Sequence, residues 1–153
     1  MMGVNEMWKV ESLRKPEYAN FVFNDADKMI TQMYQVFDAP YPDYVGAFYY
    51  EYGDYPYADG ARCEGLLAAY ELAIKMQEAE KAQRYWQALK LAAWSLFHLV
   101  NTEQSLYSVP NPALSLGGIR FKYTRQWFRI DTIQHVASFY AKMLPHWAQN
   151  NEN

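Results

Sequence analysis

Cysteine is almost missing from this chain: Cys63 is the only one in 153 residues. A lone thiol excludes an intramolecular disulfide framework and a multi-cysteine metal knuckle. Concentrated basic charge is also missing. Lys and Arg total 14 against 17 Asp and Glu, for a net charge of -3, and they form no long run. A nucleic-acid groove needs a dense basic footprint, so no nucleic-acid partner is expected. Long apolar runs are lacking as well, none approaching the ~20 residues of a membrane span. The start MMGVNEMWKVESLRK carries Glu6, Lys9 and Glu11 and no apolar core of signal-peptide length. The expectation is a cytoplasmic protein with no membrane association. No internal repeat is clear at the residue level.

What the chain has in excess is aromatic side chains. Aromatics make up 18% of the residues, and Tyr occurs 14 times against 8 Phe. Tyr suits surfaces that are half apolar and half hydrogen-bonding. Hydrophobic residues reach 51%, enough for a real core in one domain of this length.

Periodicity predicts a mainly α fold of four helices. Pro16 suits a first helical turn, and Tyr18, Phe21, Val22, Ala26, Met29, Ile30, Met33 and Phe37 follow at helical spacing until Pro40 and Pro42. A second helix runs from about Gly60 to Glu78, rich in small residues on several faces. Glu78 to Lys81 offer a tight connection, and a third helix continues to about Val100. A fourth runs from Asp131 to about Met143, where Leu144-Pro145 is expected to disrupt it. Val45 to Tyr50 and Ile119 to Tyr123 look extended, so a short β pair is expected. Residues 1–15 read as an N-terminal extension, 16–148 as the helical domain and 149–153 as a frayed tail.

The connections alternate long, short, long, against a usual helix–helix linkage of roughly 2–8 residues. The first long loop spans Tyr41 to Asp59 and the second Glu103 to Ile130, both rich in Tyr, Phe and Trp. Successive helices run antiparallel, so both loops should emerge at one end. The N-termini of the Gly60 and Asp131 helices belong at that end, with free amides and positive dipole ends. That arrangement describes a site.

Several residues there carry chemistry. Arg62 is a cation in a first helical turn, where the dipole disfavours it, and it needs a partner. Pairing with Asp54, Asp59 or Asp131 is the plain reading, and binding a carboxylate or sugar hydroxyls is the functional one. Glu64 is either a dipole-favoured carboxylate or, if desolvated, a general acid or base. Asp131 with Gln134 resembles a capping box. His135 shares a helical face with Asp131 and is either a packing histidine or a base. An Asp/His pair without a third ligand is a weak metal signal, so neither metal nor cofactor is expected. Cys63 and His98 read as core residues and His146 as a surface one. Tyr55, Tyr57, Tyr107 and Trp127 offer stacking platforms for sugar faces.

The hairpin order, with Ala61-Arg62-Cys63-Glu64-Gly65-Leu66, Gly117-Gly118, Arg129-Ile130-Asp131 and Gln134-His135, resembles part of an (α/α) toroid. Such toroids occur in six-hairpin glycosidase-like and N-acylglucosamine 2-epimerase-type proteins. The resemblance implies a carbohydrate-binding or carbohydrate-processing domain: a glycoside hydrolase, lyase or sugar epimerase. Glu64, His135 and Asp131 would be its catalytic candidates, and Arg62, Arg129, Tyr55, Tyr57, Tyr107 and Trp127 would bind substrate. Together with Arg120 and Arg125, the arginines would favour an acidic saccharide. A full toroid takes five to seven hairpins and this chain supplies about two, so the expectation is the C-terminal part of a larger protein, an orphan that borrows the hairpin unit, or a core completed by self-association. The alternative function is a non-catalytic assembly domain whose Tyr-rich loops form a homodimer or partner interface.

Overall fold

The computed structural model describes residues 1–49, 55–107 and 109–151. Six α-helices appear among them: α1 (Met2–Met7), α2 (Pro16–Thr31), α3 (Gly60–Lys75), α4 (Ala79–Phe97), α5 (Pro112–Ser115) and α6 (Ile130–Asn151). The fold is mainly α. No described helix is long and apolar enough to cross a membrane.

Helix α3 is the axis of the molecule, buried from Cys63 through Tyr70 and again at Leu72 and Ala73. Its alanines and glycines present little bulk on any face, so α1, α2, α4 and α6 all pack against it. Gly60 marks the closest approach. A Cβ there would overlap the Val136 amide and lie 2.6 Å from the His135 carbonyl carbon. Cys63 is sealed in this core, where burial pushes its thiol pKa well up. It is packing, not a nucleophile.

Helices α3 and α4 form a tight antiparallel hairpin. The Gln77 amide bonds the Ile74 carbonyl at 3.0 Å and the Glu78 amide bonds the Ala73 carbonyl at 2.9 Å. Those paired bonds, with Gln77 at φ 61°, make a Schellman stop at a residue other than glycine. Helix α6 runs parallel to α3. Glu64 meets His135 and Ser138, and two turns on Glu71 meets His146.

The helix bounds depart from expectation in three places. Helix α2 stops at Thr31, not near Phe37, because the Met33–Phe48 bridge and the Tyr34 amide bond to Ala47 pull the chain out of the helix. Val36 and Phe37 are left in solvent. Helix α6 passes through Pro145 and continues to Asn151. Tertiary anchors outweigh the proline: His146 on Glu71, Trp147 against Trp86, and the Asn150 amide donating to the Tyr70 hydroxyl. Residues 149–151 are therefore helical, and 152–153 lie outside the described residues. Finally, residues 2–7 form α1. Buried Asn5 donates to Glu71 at 2.6 Å and accepts from Lys75 at 2.5 Å, docking α1 on α3.

The expected β pair reduces, among the described residues, to isolated bridges: Met33–Phe48, Tyr57–Lys122, Val100–Ile119 and Lys122–Arg125. They nevertheless tie the loops together. The Ala58 amide bonds the Phe121 carbonyl at 2.9 Å. The Tyr123 hydroxyl lies 2.6 Å from the Asp43 carbonyl and 2.9 Å from that of Ser95, with its ring 4.8 Å from the Tyr44 ring. Both long connections thus meet over one pole of the bundle. It is the pole of the α3 and α6 N-termini, because Phe48 of the first loop lies beneath Arg62 and Gly60 abuts His135. Tyr50, Tyr52 and Asp54 of the first loop lie outside the described residues.

Candidate functional site

A cavity of about 540 Å³ opens at that pole. The first loop and the start of α3 contribute Tyr55, Tyr57, Asp59 and Gly60; the second loop contributes Phe121, Lys122 and Arg129; α6 contributes Asp131, Thr132 and His135. The Tyr57 and Phe121 ring centroids are 5.6 Å apart, a tilted aromatic pair across the two loops. Such a pair supplies flat apolar wall beside polar groups.

Asp59 has two duties. It is the N-cap of α3, its Oδ1 accepting the Arg62 amide at 3.1 Å. Its Oδ2 faces Arg62 Nε at 3.4 Å and accepts no hydrogen bond among the described residues, although the side chain is buried. A buried carboxylate oxygen without a hydrogen-bond donor is costly. An Asp immediately before a helical glycine is a sequence signal for a cap, and it marks this cavity residue.

Glu64 and His135 are brought together. His135 Nδ1 lies 2.7 Å from Glu64 Oε2, Ser138 Oγ donates to Oε1, and Lys142 Nζ donates to Oε1 at 3.0 Å. Glu64 is only 5% exposed. Burial pushes its pKa upward, but the bonds from Ser138, His135 and Lys142 outweigh that and hold it below the usual carboxylate range. Glu64 is therefore an ionised anchor turned toward α6. It borders a separate depression beside α1 and not the cavity. His135 is one of the cavity's lining residues, and its Nδ1 is held by Glu64. A carboxylate on one ring nitrogen fixes tautomer and orientation, leaving Nε2 for proton transfer.

Asp131 sits inside the first turn of α6, which begins at Ile130, so it is not the cap the sequence implied. Arg129 forks onto it, Nε to Oδ1 at 3.1 Å and Nη2 to Oδ2 at 2.7 Å. That pair lowers the Asp131 pKa. The Arg129 guanidinium also lies over the Phe121 ring, 4.7 Å from its centroid.

The remaining candidates disperse. Arg62 pairs with Asp59 and lies over the Phe48 ring at 5.4 Å, outside the cavity wall. Tyr107 is 91% exposed and Trp127 carries Arg125 over its ring, and neither borders the cavity. Arg120 donates to the His98 carbonyl at 2.7 Å, bracing the second loop. Lys122, Phe121 and Thr132 line the cavity without having been singled out from the sequence. The extended Ile119–Tyr123 stretch was the signal that could have found Phe121 and Lys122.

No family model, curated protein or solved structure matches this chain.

Proposed function

We propose that the cavity binds a saccharide and that His135, oriented by Glu64, exchanges a proton with it. The supporting observation is the make-up of one wall set: the faces of Tyr55, Tyr57 and Phe121 together with the hydroxyl-matching groups of Asp59, Asp131 and Thr132. Sugar rings present an apolar face and a polar edge, and this combination suits both. Of the arginines that favoured an acidic sugar, only Arg129 borders the cavity, and Asp131 neutralises it. A neutral saccharide is the better match.

The chemistry favoured is acid–base proton transfer of the epimerase kind. Hydrolysis by paired carboxylates needs two carboxyl groups flanking one bond. Glu64 is committed to Ser138, His135 and Lys142 outside the cavity wall, and the two carboxylates of the wall are each held, Asp59 by Arg62 and Asp131 by Arg129.

The test is a thermal-shift and calorimetric titration against a panel of neutral and acidic monosaccharides and disaccharides. A neutral sugar is expected to raise the melting temperature, and Tyr57→Ala and His135→Ala are expected to abolish that rise with the helical circular dichroism intact. If no sugar shifts the native protein, or the shift survives both substitutions, the reading is wrong.

A further inference from the structure

Three polar side chains of α6 converge on one carboxylate. His135, Ser138 and Lys142 stand at helical positions i, i+3 and i+7, a spacing that sets them along a single face. That face meets α3 at the buried Glu64. The two carboxylate oxygens receive different partners. Oε1 takes the Ser138 hydroxyl and the Lys142 ammonium, the latter at 3.0 Å, and Oε2 takes His135 Nδ1 at 2.7 Å.

We propose that Lys142 is a positioning residue: by neutralising Glu64 through Oε1, it lets His135 face the cavity as the uncharged Nδ1–H tautomer with the Nε2 lone pair open. The consequence for catalysis rests on the reading that His135 exchanges a proton with a bound sugar; the arrangement of charges does not.

The argument is one of charge balance. A buried carboxylate demands a positive partner. Were His135 alone opposite Glu64, the imidazole would be that partner and would hold a second proton. An imidazolium has no lone pair to offer a substrate. An ammonium carries its charge throughout the neutral range, so Lys142 supplies what Glu64 needs. His135 is then left to donate one neutral hydrogen bond. Lys142 is half exposed and borders the depression beside α1, not the cavity, so it acts on a cavity ligand only through Glu64.

The other charges around the ring are matched elsewhere. Asp131, one turn earlier on α6, is forked by Arg129, and Asp59 of the first loop faces Arg62. Lys122 of the second loop and the hydroxyls of Tyr55 and Tyr57 are the remaining titratable groups along the wall. Among the described residues, the carboxylate bonded to the ring is that of Glu64. Its charge balance therefore sets the state of the imidazole.

The experiment labels the ligand-free protein with diethyl pyrocarbonate, which acylates an uncharged imidazole at an open nitrogen, and follows His135 by peptide mass spectrometry. The His135 side chain is 39% exposed, within the reagent's reach, and His98 is the internal reference. Near neutral pH, Lys142→Met is expected to slow His135 labelling several-fold, and Lys142→Arg to restore it. Ser138→Ala removes a bond but no charge and should slow it less. In alkaline buffer the second proton leaves in every variant, so the native and Lys142→Met rates should converge. Equal rates near neutral pH overturn the proposal. So does a Lys142→Met deficit that persists in alkaline buffer, because it reports a covered ring and not a proton, and so does a failure of Lys142→Arg to restore the rate. Should Lys142→Met lose helical circular dichroism, Lys142→Gln decides. The labelling needs no sugar. A chain that binds none yet follows this pattern refutes the functional reading alone, and one that binds sugar without following it refutes the role of Lys142 alone.

Discussion

Glu64 Oε2 lies 2.7 Å from His135 Nδ1, joining the early turns of two parallel helices across 71 residues of sequence. The same carboxylate holds Ser138 and Lys142, one and two turns further along α6. A single buried anion therefore sets both how α6 docks on α3 and how His135 presents itself to the cavity.

Removing that charge has a pH signature. The folded Glu64 pKa lies below its usual 4.5, so its contribution is fully present at neutral pH. It is lost as pH falls from about 4.5 through the lowered folded value. Glu64→Gln is expected to cost about 1–3 kcal/mol at pH 7 and to flatten this acid limb. Urea unfolding at several pH values checks it; an unchanged acid limb would show that the pairs do not hold in solution.

Gly60→Ala should destabilise the fold without altering any charged or hydrogen-bonding side chain. Its Cβ has no room against the α6 backbone at His135 and Val136, so the helices must part. Overpacking of this kind costs about 1–3 kcal/mol. The readout is the thermal midpoint, expected to fall by several degrees.

Asn5→Ala is expected to loosen α1. It strips the hydrogen-bond partner from Glu71 and from Lys75 at a buried position, at a cost of about 1–2 kcal/mol. Hydrogen exchange across residues 2–7 should rise first. Unaltered protection there would mean that α1 docks through its apolar contacts alone.

Pro145→Ala should stabilise. Pro145 is exposed and interior to α6, where it removes one backbone hydrogen bond. Alanine restores the amide, and a gain of about 1–3 kcal/mol in chemical denaturation is expected. A loss would show that the proline shapes the turn that seats Trp147 and Asn150.

The sequence by itself determined the helical class, the α3–α4 hairpin, and the crowding of two aromatic connections over one pole. These rest on local periodicity, on small residues where helices must approach, and on the alternation of antiparallel elements, all of which are written residue by residue. The tertiary structure decided which of the charged residues there face the cavity. For Arg62 the sequence left open an acidic partner or a ligand, and the fold supplies the partner, the cap carboxylate of Asp59 three residues away. For Glu64 the sequence left open a dipole-favoured carboxylate or a general acid or base, and α6 places Ser138, His135 and Lys142 around it. Phe121 and Lys122 reached the cavity through bridges to a loop more than sixty positions earlier. Pairings of that kind depend on how two distant segments meet, and no local pattern of polarity or spacing specifies them.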